Sequence, residues 1–288
     1  MKGLLDPLGP VAASQQQHLL VVVILTLVAA LPVLVGVPLI YWRYRRRNAA
    51  VYRPDWGFSP LVELMMWGVP LAIVVVLSWL LWQDTHRYAP EKPLGPTPLE
   101  IEVVGLNWKW LFLYPGERVA SLGDLVIPAG QPVTLKLTSD TVMQSFMVPS
   151  LAGQLYAMPG MVTRLNLVAS APGTAVGRNM QYNGSGFAGQ QFRVRILNET
   201  DYRRWSSMAA NSAVRLDKST YNKLAASGSL AEATAIFTGD AGHRRPFPVP
   251  VEDANLFAKI VGRYHTGTPI APEQQPGASA YSPVDDRL

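Results

Sequence analysis

The sequence has no cysteine and only four histidines in 288 residues. Without thiols, the chain cannot form disulfides, thiolate zinc sites, iron–sulfur clusters or a cysteine nucleophile. Beyond residue 90 the only histidines are His243 and His265. Few soft or imidazole ligands are therefore available for a transition metal.

Charged residues are missing from two long apolar runs near the N-terminus. His18–Trp42 has 25 residues without Asp, Glu, Lys or Arg, and Leu64–Trp82 has 19. As a helix rising about 1.5 Å per residue, the first run reaches roughly 37 Å, enough to cross a ~30 Å hydrocarbon core. A signal peptide is the alternative for this run, but the run is too long and its basic flank follows it. We therefore predict transmembrane helices at residues 18–42 and 61–83.

The net charge of +5 has a membrane explanation rather than a nucleic-acid one. Five arginines lie in the 18 residues that join the two apolar runs: Arg43, Arg45, Arg46, Arg47 and Arg53. A basic loop beside membrane spans marks the cytoplasmic side. We predict membrane lipid as a partner, no nucleic acid, a cytoplasmic loop at 43–60 and both termini outside. Segment 1–17 contains no apolar export signal, so either a signal peptide precedes this sequence or the first span drives insertion.

After the second run, the pattern becomes β-type. Residues 84–98 are a predicted linker, with four prolines in their last eleven residues. From 99 to 198, apolar and polar residues alternate in short segments, which places one face of each strand in a core. Eight strands are predicted, at Leu99–Leu106, Trp108–Tyr114, Asp124–Ile127, Val133–Thr138, Ser145–Val148, Thr163–Ala169, Asn179–Tyr182 and Gln191–Leu197. Many short strands with frequent turn residues favour a sandwich or barrel.

The pattern becomes helical from Glu199 onwards. Residues 199–265 are predicted to form a helical C-terminal extension, with helices at Glu199–Ala210, Thr220–Ala226 and Val251–Tyr264. Residues 266–288 are rich in Pro, Gly, Gln, Ser and Ala, which predicts a disordered tail.

Four segments resemble subunit II of the haem–copper oxidases. They are the aromatic stretch Val104–Pro115, the segment Val142–Ser150, the turn Ala157–Met161 and the loop Tyr182–Phe192. In cytochrome c oxidases, the second segment carries a copper-ligating histidine, and the loop region carries two cysteines, a histidine and a methionine. The order and spacing match that family over about residues 4–200, including two spans before the domain. The resemblance implies a membrane α-hairpin followed by an all-β, cupredoxin-like sandwich.

The sequence departs from the resemblance at every side-chain ligand of the binuclear copper centre. That centre uses thiolates, imidazoles, a thioether and a backbone carbonyl, which suit copper. The matching positions hold Gln144 for the first histidine, Gly184 and Ala188 for the cysteines, Gly186 for the carbonyl donor, Phe192 for the second histidine and Arg195 for the methionine. The resemblance therefore implies the quinol-oxidising, cytochrome bo-type branch, which has lost this copper. We expect no metal, cofactor or catalytic residue in this chain.

The resemblance also implies partners and a location. It predicts a proton-pumping oxidase that passes electrons from quinol to oxygen, with the quinol site, the haems and one copper in subunit I. Subunit II then supports assembly and caps subunit I, and subunits III and IV are further expected partners. The expected location is the bacterial inner membrane, with the N-terminus and the C-terminal domain in the periplasm. Leu4–Pro7 resembles the sequence that follows a lipid-bearing cysteine in this branch, but that cysteine is not in the sequence, so lipidation is unsupported for the chain as given.

Individual residues in or near these segments suggest finer roles. Glu63, at the cytoplasmic end of the second span, matches a family glutamate at the entrance of a proton path; the alternative is an acid favoured by the helix dipole. Trp108 and Trp110 are predicted to contact subunit I rather than to be remnants of an electron-entry surface. Four methionines are interpreted as gap fillers beside a partner subunit rather than copper ligands: Met143, Met147, Met158 and Met161.

Two alternatives remain open at this point. The chain could be a membrane-tethered, cupredoxin-like binding or assembly protein that is not part of an oxidase. Within the oxidase interpretation, the quinol could be menaquinol rather than ubiquinol.

Overall fold

A computed structural model of the chain describes residues 3, 5–45, 57–226, 228–238 and 248–282. Several residues used in the sequence predictions lie outside the described part: Leu4, Arg46, Arg47, Arg53 and His243. The chain divides into two compact units, one of Ser14–Ala89 and one of Met1–Ala13 with Pro90–Leu288.

Two long helices, α1 (Pro10–Tyr44) and α2 (Pro60–Arg87), form the Ser14–Ala89 unit. Both are long and apolar enough to cross a membrane, and none of their most apolar windows is buried within the protein. A helix that is apolar on all sides requires an apolar surrounding. One carboxylate joins the two helices: Asp84 Oδ2 accepts a hydrogen bond from Ser14 Oγ at 2.5 Å and lies 3.1 Å from His18 Nδ1.

A two-sheet β-sandwich is the centre of the other unit. Its strands are β1 Leu99–Leu106, β2 Lys109–Tyr114, β3 Val119–Leu122, β4 Asp124–Pro128, β5 Pro132–Ser139, β6 Gln144–Val148, β7 Ala152–Ala157, β8 Thr163–Val168, β9 Gly173–Asn179, β10 Gln191–Leu197 and β11 Val249–Pro250. The first sheet has the order β11-β3-β2-β1-β5-β8, and the second has β4-β10-β9-β6-β7. The β1–β5 and β4–β10 pairs are parallel and the others antiparallel.

The main core lies between the two sheets and is rich in aromatic side chains. Phe146 and Phe192 stack with their ring centroids 4.8 Å apart, and the edge of Trp110 lies against Phe146 at 5.3 Å. Tyr114 links the sheets by accepting a hydrogen bond from the Val126 backbone at 2.8 Å. These residues come from inward-facing positions of the alternating strands, which is why the strand pattern was readable from the sequence.

A second core lies on the outer face of the first sheet, under the C-terminal extension. The extension contains α3 Glu199–Ser207, α4 Lys218–Ala225, α5 Leu230–Thr238 and α6 Leu256–Gly262, followed by a 3-10 turn at Arg263–His265. Leu111 and Leu113 of β2 point into this second core, whereas Phe112 points into the first. Strand β2 is therefore buried on both faces, and the predicted fold class is confirmed.

The structure differs from the sequence predictions at several places in this unit, and strands β3 and β7 and helix α5 were not predicted at all. The strand predicted at Asn179–Tyr182 is wrong, because strand β9 ends at Asn179 and the chain then turns. The last long helix begins at Leu256 rather than Val251, since Val249–Pro250 pair with β3 instead. Residues up to 282, predicted to be disordered from 266, lie along the domain. Their anchor is Tyr281, which packs on the second core and donates to Asn222 O at 3.3 Å.

Candidate functional site

The position that matches the first copper histidine, Gln144, is part of a buried amide pair. Gln144 lies at the start of β6 and is 0% exposed. Its Nε2 donates to Leu106 O at 3.0 Å and to Thr141 Oγ1 at 2.9 Å, and its Oε1 accepts from Gln190 Nε2 at 2.6 Å. Both N–H groups and the carbonyl oxygen of this side chain are thus hydrogen-bonded within the domain, as a buried amide requires.

Gln190 extends this pair into a network of amides. Its Oε1 accepts from Asn179 Nδ2 at 3.0 Å and from Asn183 Nδ2 at 2.7 Å. Asn179 Oδ1 in turn accepts from the backbone of Ser145 at 2.8 Å. We call Gln144, Asn179, Asn183 and Gln190 the amide network. Sequence reasoning missed Gln190, Asn179 and Asn183, because amide side chains carry no spacing signature and these lie up to 46 residues from Gln144.

Trp108 fits tightly against the glycines of the 184–186 loop. It occupies the β1–β2 turn with a φ of 58°, a conformation that bulky residues rarely adopt. Its indole Nε1 donates to Asn183 O at 3.4 Å. A Cβ added to Gly184 would lie 3.5 Å from the indole, and one added to Gly186 would collide with it. The two glycines thus leave room for this half-buried ring.

Three other positions matched to the copper ligands have side chains that point away from Gln144 and Trp108: Phe192, Arg195 and Ala188. Phe192 is 2% exposed and stacks inside the main core. Arg195 lies three residues further along β10, opposite Val126 and Thr174, and strand alternation turns it to the other face. Ala188 is exposed in the 3-10 turn Phe187–Gly189. Of the positions matched to the copper ligands, Phe192 therefore points into the main core, Arg195 to the opposite face of β10, and Ala188 towards solvent.

The two tryptophans predicted to contact subunit I have different environments. Trp110 is 0% exposed and packs against Phe146 and Phe192 in the main core. Its side chain is not available to a partner, so the structure speaks against that role. Trp108 is partly exposed, and the prediction therefore rests on Trp108 alone.

Comparisons with known proteins give the family. A family model described as cytochrome c oxidase subunit II, periplasmic domain, matches residues 117–190. A cytochrome bo(3) ubiquinol oxidase subunit 2 from Pseudomonas putida is 39% identical over 225 residues, which cover 77% of this chain and 72% of that protein. The chain belongs to the ubiquinol oxidase subunit 2 family.

A second relative agrees with this membership. A ubiquinol oxidase subunit 2 from Acetobacter aceti is 35% identical over 273 residues, covering 91% of this chain and 83% of that protein. Among solved structures, the periplasmic domain of cytochrome oxidase subunit II from Bradyrhizobium japonicum is 20% identical, with a TM-score of 0.38, over 39% of this chain and 94% of that one. The predicted family is confirmed, and this subunit 2 family member is a membrane protein with a periplasmic domain.

An apolar surface surrounds the start of β6 in this family member. Tyr156 pairs with Ser145 across β6 and β7, and Met180 N donates to Ser145 O at 2.9 Å, so both lie beside the amide network. We call this surface the apolar rim; its exposed residues are Val142, Met143, Tyr156, Met161, Val162, Met180 and Tyr182. Their exposed fractions range from 40% for Tyr156 to 72% for Tyr182. Clustered exposed apolar side chains of this kind are typical of interaction surfaces.

A buried charged cluster ties the C-terminal extension to the loop after β5. Asp140 is 0% exposed, accepts from Tyr221 OH at 2.5 Å and from Tyr264 OH at 3.1 Å, and lies 3.3 Å from Arg263 Nη1. Burial raises the pKa of Asp140 to about 6, although Arg263 and the two phenols oppose that rise. Sequence reasoning missed this cluster, because the partners of Asp140 lie 81 or more residues from it along the chain.

Glu63 lies in the first turn of α2, where Trp67 Nε1 donates to its Oε2 at 3.1 Å. Its backbone N–H bonds Ser59 O at 3.0 Å. This geometry is compatible with both readings of Glu63, a proton-collecting carboxylate and an acid at a helix N-terminus. Across the residues the structure describes, no group of three or more His, Cys, Asp or Glu side chains could hold a metal ion.

Proposed function

We propose that this chain is the non-catalytic subunit II of a proton-pumping quinol oxidase of the bacterial inner membrane. In this proposal, quinol delivers electrons to haem in subunit I, and the chain supports assembly, caps the periplasmic side of subunit I and helps protons to enter. Family membership supports the setting, because relatives are named as ubiquinol oxidase subunits. The observation that carries the proposal is the bond between Gln144 and Gln190.

The amide network argues against a binuclear copper centre in this chain. Copper in both of its accessible oxidation states favours thiolate, thioether and imidazole ligands. The chain has no cysteine, and the side chain at the position of the first histidine is an amide with every polar atom already bonded. The residues present do not fit the copper group, so an electron relay from a soluble cytochrome has no counterpart here. A membrane-soluble quinol that reaches subunit I directly needs no such relay.

The apolar rim supports a capping role. Its exposed methionine and tyrosine side chains would otherwise face water, which costs free energy in proportion to the apolar area exposed. Methionine adapts its shape to a partner, so Met143, Met161 and Met180 suit contact with an uneven protein surface. We propose that the rim and the edge of Trp108 cover the periplasmic side of subunit I, with subunits III and IV as further members of the complex.

Glu63 is proposed as a proton-collecting group at the cytoplasmic end of α2. A carboxylate at the membrane edge can take protons from the cytoplasm and pass them towards a partner subunit. The hydrogen bond from Trp67 orients one carboxylate oxygen and leaves Oε1 open to water or a partner group.

Purification of the tagged full-length chain from its native membrane tests the proposal. We expect a large haem-bearing polypeptide to co-purify, quinol-dependent oxygen uptake, and no near-infrared copper absorption. Extraction of the bound quinone then distinguishes ubiquinol from menaquinol. Near-infrared copper absorption from this subunit, or oxygen uptake driven by a reduced cytochrome c, would overturn the proposal.

A membrane-tethered, cupredoxin-like binding or assembly protein is the alternative function. The same purification separates the two, because a free-standing receptor would be recovered without a stoichiometric haem protein.

A further inference from the structure

Three consecutive residues of the C-terminal extension contact two loops of the sandwich. Arg263 and Tyr264 hold the buried carboxylate of Asp140, in the loop between β5 and β6. His265 Nε2 donates to Gly160 O at 2.5 Å, in the turn between β7 and β8. Tyr221 of α4 adds a third contact to Asp140 at 2.5 Å.

Both loops are shaped to receive these contacts. Gly160 has a φ of +70°, and a Cβ placed there would lie 2.8 Å from Tyr264 Cβ, so only glycine lets the extension approach this closely. Asp140 is 0% exposed, and an unpaired carboxylate at that depth would cost several kcal/mol, so the loop depends on its partners from the extension.

The two loops are also linked to each other and to the amide network. Thr138 Oγ1 and Ser139 N both bond Met158 O, at 3.2 and 3.4 Å. Thr141, next to Asp140, accepts a hydrogen bond from Gln144 at 2.9 Å. Four residues of the apolar rim lie in these loops: Val142, Met143, Met161 and Val162.

We infer that Tyr221, Arg263, Tyr264 and His265 form a brace that positions the apolar rim for its partner subunit. A metal ion shared between loops ties them together and adds its binding free energy to the folded state. In this chain, the C-terminal extension links the two loops instead, because it contacts the buried carboxylate of Asp140 and the backbone carbonyl of Gly160. Because four exposed apolar side chains lie in the two loops that the brace holds, the brace sets the shape of the surface that contacts subunit I. The part of this inference that concerns binding to subunit I rests on the proposed function.

Single exposed substitutions on the extension test the brace. His265 is exposed, so His265→Ala removes the bond to Gly160 without opening a core, and His265→Gln retains an N–H donor. Lys259→Ala, on helix α6 just before this turn, is the matched control, because it breaks a surface ion pair with Asp253 instead. Two quantities are measured on the full-length chain: amide hydrogen exchange of residues 158–162, and recovery of subunit I in a pull-down.

We expect His265→Ala to speed exchange in the 158–162 turn by on the order of tenfold, the factor that one net hydrogen bond supplies. Recovery of subunit I should fall in parallel, His265→Gln should restore both quantities, and Lys259→Ala should change neither. Equal exchange in His265→Ala and Lys259→Ala would overturn the brace. Faster exchange with full recovery of subunit I would overturn its positioning role. If the unaltered chain recovers no subunit I, the proposed function fails, while the exchange data still decide the brace.

Discussion

Gln190 donates a 2.6 Å hydrogen bond to Gln144, and both amides are 0% exposed. Gln190 also accepts two hydrogen bonds from asparagines, so its removal leaves donors and an acceptor without partners at one point. A network that is only partly satisfied costs more than one that is absent. The pair therefore contributes to stability only as a complete unit.

Gln190→Ala should lower the free energy of unfolding by about 2–3 kcal/mol, since it combines unpaired buried amides with a small cavity. The side chain of the neighbouring Gln191 is exposed and donates a hydrogen bond to Ala188 O. Gln191→Ala should therefore change the free energy of unfolding by no more than about 0.5 kcal/mol. Denaturant unfolding of the full-length chain in detergent, followed by tryptophan fluorescence, compares the two. Equal losses would contradict a special role for the network.

Gly186→Ala should destabilise the domain by about 1–3 kcal/mol, because the new methyl group meets the Trp108 ring. Gly189, three residues further along, has no atom within 4 Å of an added Cβ and provides the control. The double variant Gly186→Ala with Trp108→Ala should lose less stability than the sum of the losses in the two single variants. Additive losses would mean that the ring and the loop do not interact.

Glu63→Ala should lower oxygen-reduction turnover of the purified complex severalfold and reduce proton release per electron, whereas Glu63→Asp should retain most of both. Trp67→Phe removes only the hydrogen bond to Glu63 and separates orientation of the carboxylate from its presence. Unchanged turnover in Glu63→Ala would leave Glu63 as an acid favoured by the helix N-terminus.

Asp140 should make the stability of the domain depend on pH in an unusual direction. Its folded-state pKa, about 6, lies above the unfolded value near 3.9, so the folded domain holds the proton more tightly between these two values. The free energy of unfolding should therefore fall as the pH rises from about 4 to about 6, and then stay constant. The groups that face Asp140 are Arg263, Tyr221, Tyr264 and Tyr281. Burial raises the pKa values of the three tyrosines above their ordinary range, so the tyrosines do not titrate in this window.

Asp140→Asn should remove that slope, and at neutral pH it should also cost stability because Arg263 loses its buried counter-charge. Urea midpoints measured from pH 4 to pH 8 for both proteins provide the check. A slope that persists in Asp140→Asn would assign the titration to another group.

The sequence predicted the hairpin and the sandwich because both depend on local patterns of apolar residues. It could also have placed Phe192 and Arg195 correctly, since their alternation in Phe192–Ile196 already puts one inward and the other outward. The side chains of Phe192 and Arg195 follow the period of strand β10 rather than the ligand spacing of a copper loop.

The amide network and the Asp140 cluster could not be predicted from the sequence, for a different reason. Their members are isolated polar residues on separate strands and helices, with no local spacing that marks them. Trp110 illustrates the same limit on a smaller scale. Two tryptophans separated by one residue look equivalent in the sequence, yet the turn at Asn107–Trp108 leaves Trp108 half-buried while β2 carries Trp110 into the core.

Strand β11, only two residues long, pairs with β3 at the margin of the first sheet. Without it, β3 would present an open row of backbone donors and acceptors, which is a template for edge-to-edge aggregation. The two residues of β11 cover part of this edge. Removal of the C-terminal extension should therefore expose the edge of β3 and make the chain prone to precipitate.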